Sequence, residues 1–225
     1  MATWNKLRPA SFACEVEMRT LLLGACIFTA APMAFSDTIN FDSDVAGQPP
    51  SGWHCGTTGA GHPLWAVTED RSAPSPPNVL KQGGVAPFLW CVRSDSVAES
   101  GAVEVKFKPV AGKDDQAGGL VWRWKDGRNY YVARANALER NVSLYYTVNG
   151  VRKTIQYVDA PVTLDAWHTL RVSYKNQSIQ VSLDGKTYID TTDNHIYGAG
   201  KVGVWTKADS VTVFDDFKYD SLSSR

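Results

Sequence analysis

The chain has 225 residues, long for an average domain but ordinary for a single large β-sandwich. Lys plus Arg and Asp plus Glu are equal at 23 each, so no net field draws the protein to nucleic acid or to an anionic membrane. Aromatic residues reach 11%, and Trp and Tyr serve equally as core and as flat faces for stacking.

The N-terminal region reads as an export signal. Met18-Arg19-Thr20 precedes an apolar run from Leu21 to Ala31, with small residues at Ala34 and Ser36 where a signal peptidase needs them. Cleavage after Ser36 is expected, giving a leader over 1–36 and a secreted or periplasmic domain over 37–225. Met1 to Glu17 carries no such pattern, so translation from Met18 is the alternative start. The apolar run falls short of the roughly 20 residues that span a bilayer, and no second run follows, so no stable membrane insertion of the mature chain is expected. Cys14 and Cys26 fall in the leader. Cys55 and Cys91 remain as an even pair in an oxidising compartment, which points to a disulfide. A metal site built from this pair with His54 and His62 is the alternative, but the spacing is irregular.

From Asp37 onward, short segments with period-two alternation are separated by turn residues. Strands are expected at Thr38–Asp42, Leu64–Thr68, Phe88–Val92, Ala102–Lys108, Gly119–Trp124, Tyr130–Asn136, Val142–Val148 and Arg152–Val158. Trp167–Tyr174, Ser178–Leu183, Thr187–Asp190, Lys201–Thr206 and Val211–Tyr219 complete the set. Val45 to Pro63 reads as a long irregular stretch, and Ser72 to Pro77 as a rigid Pro-rich connection. Asp126-Gly127, Asn149-Gly150 and Asp184-Gly185 lie between strand-like runs and predict tight hairpins. No helical period appears. The expected fold is all-β, a single antiparallel two-sheet jelly-roll sandwich.

Four segments, in order, resemble the concanavalin A-like lectin/glucanase superfamily. They are Gly118-Gly119-Leu120-Val121-Trp122-Arg123 with Asn129-Tyr130-Tyr131, Trp167-His168-Thr169-Leu170-Arg171-Val172, Gly200-Lys201-Val202-Gly203-Val204-Trp205-Thr206, and Phe214-Asp215-Asp216-Phe217. Within it the chain is most similar to secreted bacterial domains of the laminin-G-like and 3-keto-disaccharide-hydrolase-like groups. The resemblance implies the sandwich fold and a sugar-related role; the fold itself hosts lectins, hydrolases and modules without a known ligand.

Retaining glucanases of this fold carry Glu-x-Asp-x-x-Glu on one strand, which aligns nucleophile and acid on one face. Glu69, Glu99, Glu104 and Glu139, the glutamates of the expected mature chain, do not form that motif. A carboxylate pair from separate strands, Glu139 with Asp115 or Asp209, is the remaining hydrolytic option. No Gly-x-Ser-x-Gly elbow, phosphate loop or His-Glu-x-x-His occurs, and His168, within an alternating strand, reads as structural.

Alternation supplies the candidate surface. In Tyr130–Asn136 the small Ala133 and Ala135 suit the space between the sheets, so Tyr130, Arg134 and Asn136 are expected on the open concave face. Trp122 and Trp124 would share one face of the preceding strand and Arg123 the other, near Arg134. Glu139, Asp115 and Asp209 are candidates to neutralise the two arginines, and Trp205, Lys207 and Asp209 form a further group. A guanidinium, an amide and an indole together suit an oligo- or polysaccharide. Calcium at Asp115 or Asp215 is a further option, because related folds often hold it. The leading reading is a carbohydrate-binding sandwich. A glycoside hydrolase of the keto-disaccharide type and a structural or adhesive module are the alternatives.

Overall fold

The structure, a computed structural model, describes Met1 and residues 38–221. The rest of the expected leader, with Cys14, Cys26 and Met18, lies outside the described residues. Fifteen strands and no helix are found among those described: β1 (Thr38–Ile39), β2 (Trp53–Thr58), β3 (Trp65–Glu69), β4 (Asn78–Gln82), β5 (Ala86–Arg93), β6 (Gly101–Ala111), β7 (Ala117–Asp126), β8 (Asn129–Asn136), β9 (Asn141–Val148), β10 (Val151–Asp159), β11 (His168–Lys175), β12 (Ser178–Leu183), β13 (Lys186–Thr192), β14 (Lys201–Ala208) and β15 (Val211–Ser221). No helix among the described residues is long and apolar enough to cross a membrane.

The strands form two antiparallel sheets. The first runs β13-β12-β11-β6-β15-β4-β3, with β1 paired to β15; the second runs β10-β9-β8-β7-β14-β5-β2. Hairpin chemistry sets local register. Asn149 and Gly150 both take positive φ, which matches strand twist and pairs Val148 with Val151. Asp184-Gly185 does the same between Leu183 and Lys186.

Two strands escaped the sequence reading. β2 lies inside the stretch from Val45 to Pro63 that reads as irregular, because its Gly56, Thr57 and Thr58 mask the inward Trp53 and Cys55. β4 directly follows Pro77, and it buries Val79 and Leu80 side by side, so no alternation shows.

The main core fills the space between the sheets. Leu120, Trp122, Tyr131, Ala133, Ala135, Leu144 and Val204 face it from the second sheet, and Val103, Val105, Phe107, Leu170, Val172 and Phe214 from the first. The Gly118-Gly119 pair has a steric reason on each side. A Cβ on Gly118 would lie 2.3 Å from the Phe107 ring in the core, and one on Gly119 would lie 2.7 Å from the Ala133 carbonyl and 3.2 Å from the Trp205 ring. Cys55 and Cys91 sit opposite each other on β2 and β5 and form a disulfide, so the alternative metal site with His54 and His62 is set aside; His54 packs instead on Trp90 and Trp124.

Candidate functional site

The face of the second sheet turned away from the core curls into a trough. In a flat sheet β10 and β5 are five spacings apart, about 24 Å. Yet the Arg152 guanidinium of β10 lies 4.7 Å from the centre of the Phe88 ring on β5. The Thr58 hydroxyl of β2 likewise meets the Tyr130 hydroxyl of β8 at 2.6 Å.

One half of this concave face is aromatic. Trp90, Val92, Val121, Trp124, Tyr130, Val132, Tyr145 and Trp205 form a buried cluster with Phe88 packed against it. Trp205 and Tyr130 are fully buried. Phe88 stacks on Trp205, and Thr58 holds the Tyr130 hydroxyl. Neither ring is therefore an open stacking face, contrary to the expectation for a sugar platform. The aromatic half fills the trough with its own side chains.

The other half is polar and centres on Arg134. Ala133 and Ala135 do face the core, and Arg134 and Asn136 do project to the concave side, but both are buried beneath neighbouring groups. Register places Ser143 opposite Arg134 and Asn141 opposite Asn136. Arg134 Nη2 donates to Glu139 Oε2 at 2.5 Å, Asn141 Oδ1 at 3.1 Å and Ser143 Oγ at 3.4 Å, and Nη1 lies 3.6 Å from Asp115 Oδ2. Lys207 Nζ donates to the same Asp115 oxygen at 2.6 Å, and Asn136 Nδ2 to Asp115 Oδ1 at 2.7 Å. Two cations thus face two carboxylates, and at the buried centre Arg134 and Asp115 hold their geometry because removing either leaves the other charge short of a partner.

Glu139 is the most exposed member of the set, ahead of Lys207. The Asn136 carboxamide oxygen accepts from the backbone N–H of Leu138 and Glu139 and so shapes the β8–β9 turn that carries it. Asn141 Nδ2 donates to Glu139 Oε2 at 2.9 Å and lies 2.5 Å from the Tyr157 hydroxyl. The bonds that Glu139 accepts from Arg134, Asn141 and Tyr157 all fall on Oε2. Burial pushes the Glu139 carboxyl up, but the Asn141 hydrogen bond and the Arg134 charge outweigh it and hold it below the ordinary carboxylate value. Tyr157, half exposed, has its hydroxyl raised by partial burial and by the Glu139 charge. A cavity of about 500 Å³ opens beside them, lined by Glu139, Arg140, Asp159, Ala160 and Pro161.

Several expected members lie elsewhere or act differently. Arg123 does not approach Arg134. A bulge, with Arg123 at φ 46° and a register shift after Trp122, keeps Trp122 in the core, turns Trp124 to the concave face and sends Arg123 to one end of β7. There its guanidinium donates to the carbonyls of Glu99, Asn176 and Ile196 and lies over the Tyr174 ring. Asp209 accepts from the backbone N–H of Lys113, Asp114 and Asp115, so it positions the turn that carries Asp115 rather than reaching a ligand. Those three N–H groups outweigh the effect of burial and lower its carboxyl.

Calcium does not fit either proposed carboxylate. Asp115 is committed to Lys207, Asn136 and Arg134, and Asp215 accepts from the backbone N–H of Ser75 and Asp216. No group of three His, Cys, Asp or Glu arranged to hold a metal occurs among the described residues. His168 is bonded on both ring nitrogens, Nδ1 with Asp184 at 2.7 Å and Nε2 from the Thr163 N–H at 3.0 Å.

Sequence reasoning missed Asn141, Ser143, Arg152 and Tyr157. Asn141 and Ser143 follow from the β8–β9 register once the Asn136 turn is recognised, whereas Arg152 and Tyr157 reach this face through the curl of the sheet and a bulge between Thr154 and Gln156.

Sheet order and core define an antiparallel two-sheet jelly-roll sandwich, a fold that carbohydrate-binding proteins and glycoside hydrolases share. No known family profile and no curated protein matches the chain. Among solved structures, it is similar to the carbohydrate-binding module CBM66 from Bacillus subtilis, with a TM-score of 0.62 and 20% identity over 76% of this chain and 96% of that one. The GH16 of the Bacteroides ovatus mixed-linkage glucan PUL gives a TM-score of 0.56 at 8% identity, covering 82% and 99%. A Bacillus licheniformis beta-glucanase gives 0.51 at 14% identity, covering 84% and 99%. At these identities the likeness establishes the fold.

Proposed function

We propose that the protein is a secreted carbohydrate-binding domain that recognises a glycan at the polar end of its concave face without cleaving it. The observation that carries this reading is the Arg134 network. A buried guanidinium fixes Glu139 beside a cavity, and the half-exposed ring of Tyr157 stands next to that carboxylate. Pre-positioned hydrogen-bonding groups with an aromatic flank are what a sugar ring requires, because they order few side chains on binding. Arg134, Asn136, Asp115, Lys207 and Asp209 form the support; Glu139, Tyr157, Arg140 and Asp159 form the contact surface. The disulfide between Cys55 and Cys91 suits an oxidising location, in keeping with the expected export signal.

Binding is favoured over hydrolysis by the state of the carboxyls. A glycosidase needs one carboxyl raised so that it carries a proton to the leaving group. Glu139 and Asp209 are both lowered, and Asp115 is sealed by cations. Asp215, which burial raises to about 6, is on the first sheet, fully buried and bonded to backbone.

A glycan array with the mature protein tests the reading, followed by calorimetry on the best ligand. Binding is expected to weaken at least tenfold in Glu139→Gln and in Tyr157→Ala, with both variants folded and no reducing sugar released by the parent. A silent array, or affinity indifferent to both substitutions, would sink the proposal.

A further inference from the structure

One cation on the concave face, Arg152, makes no ion pair among the described residues; Asp115 acts on it only at longer range. Arg152 lies with its guanidinium carbon 4.2 Å from the centre of the Tyr145 ring, 4.7 Å from Phe88 and 5.7 Å from Trp205. Its Nη1 is enclosed and makes no hydrogen bond. Burial and the neighbouring Arg134 charge lower its pKa, and Tyr145 and Asp115 offset only part of that. On the same face Arg134 and Lys207 touch Asp115 and Glu139 directly, whereas Arg152 lies against aromatic rings. Cation–π contacts offset only part of what removing a cation from water costs. Aromatic faces alone do not supply an acceptor for a guanidinium built to bind in a bidentate way.

This cation adjoins the Arg134 network. Arg134 is also over the Tyr145 ring, at 5.5 Å, so two guanidinium groups share one aromatic side chain. A neutral hydroxyl would meet the hydrogen-bonding need and leave the charge. An oxyanion would meet both. We infer that the glycan carries an acidic group, a carboxylate or a sulfate ester, and that Arg152 receives it while Glu139 and Tyr157 engage the ring that bears it. The inference rests on the carbohydrate-binding reading and adds the ligand's charge class to it.

Calorimetry with two matched pairs of probes tests it: oligogalacturonate against its methyl ester, and dextran sulfate against dextran. The acidic member of one pair is expected to bind at least tenfold more tightly than its neutral partner, and the responding pair identifies carboxylate or sulfate. Arg152→Gln is expected to bring the two members of that pair together. Arg152→Lys, which keeps the charge and loses the planar fork, is expected to retain part of the preference, and it carries the test if the Gln variant does not fold. Lys186→Gln, an equal change of charge on the far edge of the other sheet, leaves the preference in place if it is local. Equal affinities within both pairs, or a preference that survives Arg152→Gln, overturns the inference while leaving sugar binding intact. No binding to any of the four probes overturns it too, and silence across a wide neutral glycan screen then removes the underlying reading as well.

Discussion

Arg123 and Arg134 are both buried arginines on neighbouring strands, yet their partners differ in kind. Arg123 is surrounded by backbone carbonyls from three separate segments, at Glu99, Asn176 and Ile196. Arg134 is surrounded by side chains, two of them carboxylates. Carbonyl acceptors tie chain segments together and stay where the fold puts them. Carboxylates carry charge and, in Glu139, extend it to a cavity. The type of acceptor separates a rivet from a site.

The largest expected effect follows from breaking the second setting. Arg134→Ala leaves Asp115 buried with one cation fewer, and a loss of about 3–5 kcal/mol in chemical denaturation is expected, together with loss of glycan binding. Arg123→Ala strands carbonyls instead of a carboxylate; about 2 kcal/mol is expected, with glycan affinity unchanged by calorimetry. If Arg123→Ala impaired binding as severely as Arg134→Ala, the contrast would fail.

Smaller changes sharpen the contrast. Glu139→Gln is expected to cost under about 1 kcal/mol in thermal melting, since the side chain is partly exposed, while reducing glycan affinity at least tenfold. The pH response comes last. Glu139 has a folded value below its unfolded one, near 4.3. Its contribution to stability is therefore present above that unfolded value and is lost as pH falls through the lowered one. Binding is expected to hold flat from pH 7 to about 5 and to decline below the ordinary glutamate range, and the acid loss of stability should be smaller in Glu139→Gln, while Asp70, Asp209 and Asp216, also lowered, keep their share.

Much of the sandwich was legible because alternation and turn chemistry are local signals. Thirteen expected strands fall on observed ones, and the inward Ala133 and Ala135 correctly oriented β8. The site was less legible because its assembly is non-local. A single bulge at Arg123 reversed the faces of Trp124 and of the arginine itself, and period-two reasoning cannot register an added residue. The curl that seals Trp205 and Tyr130 under Phe88 and Arg152 depends on strands far apart in sequence. Outward projection was therefore read correctly for Arg134 and Asn136, but accessibility was not.

The disulfide has a mechanical consequence. β2 forms the border of its sheet, and Cys55 joins it covalently to β5, to which it is already hydrogen-bonded. A bordering strand is ordinarily the first to peel away or to accept a foreign strand; the crosslink keeps this one seated. In a reducing environment unravelling should begin at this margin, uncovering Trp90 and Trp124 beneath His54, so that tryptophan emission changes before the opposite border loosens.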